Sequence, residues 1–417
     1  VARTSAFSFK GKDIDVRDIG RKLNVETVLE GSIQKAGNRV RITGQLVNVS
    51  DGYHLWSEKY DRNMEDIFDI QDEISEAIVN KLKVKLFGEE KQRLAKRQTV
   101  DLDVYNLYLK GRFFWARQAV ENLEKARKYF EEVLEKDPGY GPAYAGLADI
   151  YIILPLYGVS APGEVIPKAK EAVLKALEID DNLAEAHNSL AWVKTLYEWD
   201  WEGGEREFRR SIELNPGHAP THQRYALHLS FVGRFDEAVE QIEQALDLDP
   251  LSVIVNREFG QVCLFSGQVD RAIEALQKQM EIDPNFPFAR LLLAEAYIQK
   301  GMYEDAVSEM ERETEITGGH PLAKSSLGGV YARIGRTDEA QIILEELKQR
   351  TEQFGMPFQL GSLYMALGDF DRGFEWVERA VEERDPYLCW ISMMSRWDIV
   401  RSDPRYLALL RRLNLDK

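Results

Sequence analysis

Cysteine is scarce. Cys263 and Cys389 are the two in 417 residues, far apart and in no metal-ligand spacing. A disulfide framework is therefore excluded. The compartment stays open, with a cytoplasmic location favoured over a periplasmic one. No apolar run is long enough to cross a bilayer: the most apolar stretch, Ile150–Val159, is short and contains Pro155. No signal-peptide pattern is recognisable, and the chain starts Val1-Ala2-Arg3 without a Met, which reads as a fragment of a longer protein. Basic charge is in deficit, with 54 Lys and Arg against 70 Asp and Glu, a formal charge of −16. Such a surface repels phosphate backbones and argues against nucleic-acid binding by this chain. Nucleotide loops are missing, with no Gly-x4-Gly-Lys-Ser/Thr and no Gly-x-Gly-x-x-Gly after a strand. No kinase set or cyclase-like catalytic segment is present. Gly158-Val159-Ser160-Ala161-Pro162-Gly163 has the wrong spacing for a nucleophile elbow. No catalytic residue, cofactor or metal site is assigned, and any catalytic domain is expected outside this sequence.

The chain does have core material, 44% hydrophobic residues, and an uneven charge. Residues 1–100 carry a net +2, so the remainder carries −18. The two regions read as different domains.

A repeat organises the larger one. Gly233, Gly267, Gly301 and Gly335 recur every 34 residues, and Gly368 follows after 33. Behind each comes a small residue: Ala238, Ala272, Ala306, Ala340 and Gly373. Ahead of each stands another: Ala226, Gly260, Ala294, Gly328 and Gly361. Pro250 and Pro284 close two of the units. Small residues on facing helices allow close backbone approach. The glycine supplies the tight turn between antiparallel helices. Proline ends one pair and starts the next. One pair cannot bury its apolar face alone, so neighbours must stack into a solenoid.

Period and pattern resemble the tetratricopeptide repeat (TPR). The segment Tyr225-Ala226, Gly233-Arg234-Phe235-Asp236-Glu237-Ala238, Leu248-Asp249-Pro250 is a near-consensus unit. Extending the register gives about eight helix pairs. Phe114 replaces the first small residue, extra residues make a loop at Leu154–Pro167, and one extra residue falls at Trp199-Asp200-Trp201. Asp403-Pro404 opens a last helix with the stripe Tyr406, Leu409, Leu410, Leu413, expected to cap the array.

The first hundred residues alternate with period two over Val25–Gln34 and Val40–Leu46, with turns at Ala36-Gly37-Asn38 and Asp51-Gly52. A short helix precedes them, and Ile67, Ile70, Ile74, Ile78 and Leu82 make a helical stripe after them. The pattern predicts a small α/β domain. The segments Arg3-Thr4-Ser5-Ala6-Phe7, Val28-Leu29-Glu30-Gly31-Ser32 and His54-Leu55-Trp56-Ser57-Glu58-Lys59-Tyr60-Asp61-Arg62 resemble a module related to the TolB amino-terminal domain. This resemblance implies a bacterial signalling protein, with an N-terminally incomplete module. The expected fold is thus mostly α, a right-handed TPR superhelix preceded by a small α/β domain. Its expected division is 1–86 for the module, 87–101 for a linker or helix extension, 102–388 for the array and 389–417 for a capping segment. Lys91, Arg93, Lys96 and Arg97 form a basic cluster in that linker.

The TPR resemblance implies that the first helix of each pair lines a concave groove, through positions three before, one after and four after its small residue. Those positions include Trp115, Gln118, Asp149, Asn188, Trp192, Gln223, Arg257, Gln261 and Glu295. Amides, one arginine and two tryptophans suit an extended peptide. The expected function is a non-enzymatic protein-interaction or scaffold module. Alternatives are a non-catalytic fragment of a cyclase, kinase or winged-helix regulator, or a homodimerisation element. Trp199 and Trp201 read as core or as an exposed dimer patch. Cys263 reads as core. His218, His222 and His228 read as structural or, alternatively, as zinc ligands.

Overall fold

The computed structural model describes residues 1–63, 67–82, 101–117, 119–351 and 356–416. The basic cluster at 91–97 and Gln118 lie outside them. The chain divides into two compact units at Asp101/Leu102.

In the first unit, short helices α1 (Arg3–Phe7) and α2 (Val16–Leu23) precede strands β1 (Thr27–Ala36), β2 (Arg39–Asn48) and β3 (His54–Asn63), and α3 (Ile67–Leu82) follows. The strands form an antiparallel meander in the order β1-β2-β3. Thr27 pairs with Asn48 at one end of the first hairpin and Ala36 with Arg39 at the other. Val40, Leu46, Trp56 and Tyr60 pack with Ile70 of α3 into a small core. Gly44 makes room for it, since a Cβ there would stand 2.9 Å from the Trp56 ring.

The second unit is helical. Its eight antiparallel pairs are α4/α5 (Leu102–Trp115, Val120–Lys136), α6/α7 (Gly141–Ile153, Pro162–Ile179), α8/α9 (Ala184–Val193, Trp201–Leu214) and α10/α11 (Ala219–Phe231, Phe235–Leu248). They continue as α12/α13 (Val253–Phe265, Val269–Ile282), α14/α15 (Ala289–Gln299, Tyr303–Ile316), α16/α17 (Pro321–Arg333, Thr337–Thr351) and α18/α19 (Pro357–Ala366, Phe370–Glu382). Each helix packs on its partner and on the next pair, which makes a solenoid.

The turn glycines act as their spacing predicts. All five take positive φ, from 75° at Gly301 to 84° at Gly335. The residue after each donates its N–H back to a carbonyl five residues earlier, as Arg234 does to Leu229 at 2.9 Å and Asp369 to Tyr364 at 3.0 Å. That 6→1 bond satisfies an orphan carbonyl of the first helix. The extra residue of the third pair is absorbed as a π-helical turn, Lys194–Glu198, and Trp199 takes the left-handed position at φ 55° that glycine holds elsewhere. The small residues lie at close approaches. A Cβ on Gly260 would sit 2.6 Å from Leu276 Cγ, and Ala226, Ala238, Ala272 and Ala306 are fully buried. In the first pair the close approach falls on Gly111 rather than at Phe114: a Cβ on Gly111 would lie 2.5 Å from the Phe130 ring. Phe114 instead stacks on Tyr129.

Beyond α19 the chain forms two short 3-10 turns, Pro386–Trp390 and Ser395–Val400, and a final helix α20 (Pro404–Arg412). Arg405 and Arg412 of α20 pair with Asp371 and Glu378 of α19.

Candidate functional site: the inner face of the array

The two helices of a pair are buried differently. The second helix α11 buries Ala238, Ile242 and Ala245 and leaves its other face to water. The first helix α10 buries nearly every residue, polar ones included. A helix buried all round must be covered on both sides. One cover is its partner helix. The other, for the later pairs, is the chain's own tail.

Tyr387 Oη donates to the Leu156 carbonyl at 2.8 Å. Cys389 Sγ lies 3.6 Å from the Thr195 carbonyl in the π turn. The Trp390 ring meets Phe231 edge to face at 4.8 Å. With the Gln261 amide oriented to satisfy both neighbours, its oxygen accepts from Trp390 Nε1 and its nitrogen donates to Glu258, each at 2.6 Å. Ser395 Oγ donates to Glu295 at 2.6 Å, and Arg396 donates to Ser326 Oγ at 3.2 Å. The tail thus touches the first helices of the fourth to seventh pairs, the end of the third and the connecting turn of the second. Tyr387, Leu388, Cys389, Trp390, Ile391, Trp397 and Val400 are each less than a tenth exposed. At roughly 1.5–3 kcal/mol per buried side chain, exposing them costs on the order of 10–20 kcal/mol. A micromolar peptide releases only about 8 kcal/mol on binding. The tail is therefore structure, not a displaceable plug.

This places the sequence-derived groove residues in two groups. In the later pairs, Gln261 and Glu295 hold the tail. Arg257 is buried against Glu258 and the Phe286 ring, 5.3 Å from its centroid, and donates to the Pro287 carbonyl at 3.4 Å. In the earlier pairs, Asp149 accepts from Ser189 Oγ and from Arg224 Nη1, both at 2.8 Å. Arg224 lies 6.0 Å over the Trp192 ring, and Trp192 stacks on Phe231. Asn188 is 2% exposed, and its side-chain oxygen has no partner among the described residues. Trp115 and Gln223 are half-buried. The groove positions read from the sequence did not include Tyr108, Arg112, Glu185, His218 and Arg224, which lie around Asp149. Burial pushes His218 down to about 4, so its imidazole is neutral here. The signal that pointed to this cluster was charge on the faces of first helices that are otherwise apolar.

The remaining sequence candidates resolve as core. Trp199 and Trp201 are 4% and 5% exposed, so they are not a surface patch. Cys263 is buried, and burial pushes its thiol up to about 11, which makes it inert at neutral pH. His222 bonds Gln241 and the Pro216 carbonyl, and His228 bonds Thr195, so the three histidines do not share a metal-ligand geometry.

Comparison with known proteins agrees with the repeat. Family models described as tetratricopeptide repeat match residues 226–287, 264–315 and 358–385. A putative adenylate cyclase 3 of Rhizobium meliloti is 37% identical over 204 residues, covering 48% of this chain and 35% of the relative. The transcriptional regulator HilA of Salmonella typhimurium is 24% identical over 238 residues, covering 56% of this chain and 41% of the relative. The chain thus spans well under half the length of these relatives. Among solved structures, Pseudomonas aeruginosa PilF is similar at 23% identity and TM-score 0.38, covering 55% of this chain and 98% of that one. A thermophilic TPR protein of Thermus thermophilus is similar at 20% identity and TM-score 0.39, covering 47% and 99%. With its eight helix pairs, its turn glycines at a 34-residue interval and these family matches, the chain carries an array of tetratricopeptide repeats.

Proposed function

We propose that this chain is the non-enzymatic, regulatory part of a bacterial signalling protein, and that it captures a partner segment along the inner face of the first four pairs. The observation that carries this reading is that the tail contacts leave Trp115 and Gln223 half-buried on the first helices of the first and fourth pairs. Trp115 supplies aromatic area at one end of that stretch and Gln223 an amide at the other. In the later pairs Gln261 and Glu295 hold the tail, and Arg257 is taken up by Glu258 and the Pro287 carbonyl. The TolB-like reading of the amino-terminal unit belongs to this proposal.

The test is affinity capture with the full chain and with a Trp115→Ala/Gln223→Ala variant, read by quantitative mass spectrometry. A protein held by the first and depleted at least tenfold with the second supports the reading. Equal capture by both overturns it.

A second reading is that the chain is the non-catalytic portion of a longer effector of the cyclase or transcription-regulator kind. The match to a relative named as a putative adenylate cyclase favours it. The coding sequence upstream of Val1 decides it.

A further inference from the structure

The second pair carries more chain than a repeat needs. The residues after α6 form a short 3-10 turn, Leu154–Tyr157, closed by Gly158 at φ 62°. That turn does not stay with its own pair. The Tyr157 ring lies 6.0 Å from the ring of Phe288, which stands just ahead of α14. A Cβ on Gly158 would sit 3.1 Å from Sδ of Met356, just ahead of α18. The second pair thus meets the entries to the sixth and eighth, and the array comes round on itself.

Between these segments lies a cavity of about 640 Å³. Small-molecule sites run to about 300–1,000 Å³. Its walls are aromatic and apolar, with Tyr157, Phe286, Phe288, Ile316 and Met356. The first pair contributes Arg117 and Val120, both exposed. Phe288 holds a left-handed φ of 68°, which glycine accepts and a bulky residue resists. Its N–H donates to buried Glu313 at 2.8 Å, and its ring meets His320 edge to face at 5.1 Å. Strain of this kind collects at ligand sites, where the surroundings hold it in place. Here it fixes one aromatic wall of the cavity.

The charges on the lining set the polarity of the ligand. Arg117 stacks on the Phe113 ring at 3.7 Å and donates one N–H to the Phe113 carbonyl at 3.4 Å. No carboxylate pairs with it among the described residues. The remaining donors of its planar fork match a carboxylate. The acid on the lining is Asp283, and its Oδ1 already accepts the Asn285 N–H at 3.0 Å within its own turn.

We propose that this seam cavity binds a small planar aromatic carboxylate, with its ring among Tyr157, Phe288 and Met356 and its carboxylate on Arg117. The extra residues of the second pair then supply a wall of the site. A ligand held there touches early and late pairs at once and stabilises the closed coil.

The test titrates the full chain by calorimetry with indole-3-acetate, phenylpyruvate and 4-hydroxybenzoate, and with tryptamine as an aromatic amine. At least one acid should bind at least tenfold more tightly than tryptamine and raise the melting temperature. Arg117→Ala should weaken that acid at least tenfold. Val120→Trp, which fills the cavity from an exposed position, should abolish binding. Arg210→Ala, on an exposed ion pair elsewhere, should leave it within twofold. Circular dichroism confirms that each variant is folded. Tryptamine binding as tightly as the acids, or acid binding unchanged in Arg117→Ala or Val120→Trp, overturns the proposal. So does a folded chain that binds none of the three acids at millimolar concentration.

Discussion

The indole nitrogen of Trp201 donates to the carbonyl of Leu413, 212 residues further along, at 2.8 Å. Close by, Asn414 donates to the Trp199 carbonyl at 3.2 Å, and the Arg384 guanidinium lies 4.1 Å over the Trp199 ring. The third pair is therefore bound to the end of the chain. Stacked repeats normally contact only their neighbours. Here the tail adds contacts that leap four or five pairs, and cooperativity should extend along the whole array.

Trp397 provides the first prediction. Its side chain is fully buried and stacks on Phe358 at 5.6 Å. Trp397→Ala should cost about 3–5 kcal/mol. Because the tail ties distant pairs together, urea unfolding of the wild type should be a single transition. The variant should melt earlier. A stability change below about 1 kcal/mol would contradict this position for the tail.

Two small-residue substitutions separate packing from backbone strain. Ala272 is fully buried at a helix-pair contact, so Ala272→Leu overpacks it and should cost about 1–3 kcal/mol. Gly301 has φ 75° with open space around it. Gly301→Ala should cost about 1–2 kcal/mol, through backbone conformation alone. Differential scanning calorimetry measures both, and an unchanged melting temperature for Ala272→Leu would mean that the repeat register is wrong.

Arg257→Glu should unfold the protein rather than merely weaken binding. The arginine is buried beside Glu258, itself 4% exposed, so reversal sets two buried carboxylates side by side. Breaking such a pair costs about 3–5 kcal/mol. Circular dichroism and denaturation should show that loss. Native stability in the variant would contradict the buried placement.

Asp385, at the root of the tail, makes stability depend on pH. It accepts the N–H groups of Tyr387 at 3.0 Å and Phe358 at 3.2 Å. Burial nevertheless outweighs these bonds and pushes its carboxyl up to about 7. The folded chain then keeps a proton that the unfolded chain releases near pH 4. Stability from this group is full below about pH 4 and falls as pH rises to about 7. Asp385→Asn cannot ionise and should flatten that decline in urea midpoints. An identical slope in the variant would refute the assignment.

The sequence made the helix pairs legible because their signals are local and periodic. Gly233 through Gly368 mark the turns, and the surplus residue before Trp199 marks the π turn. The tail's route was not legible. It depends on contacts such as Trp390 with Gln261, which have no period and span over a hundred residues. A hint was available in the density of Tyr387, Leu388, Trp390, Ile391 and Trp397, more apolar surface than a simple end cap needs. Inner-face apolar residues such as Leu264 and Leu291 were a second hint, since an open groove would expose them to water. The Asp149–Arg224 pair was half legible. Asp149 fell on a groove position, whereas Arg224 lies beside one.

Native-state hydrogen exchange of the full chain, read by mass spectrometry over residues 386–400, tests the closed later groove most directly. The predicted result is protection of these amides comparable to that of α10 and α12, lost only in the global transition. Exchange of 386–400 within seconds, while α10 and α12 stay protected, would contradict it and return the whole inner face to partner binding.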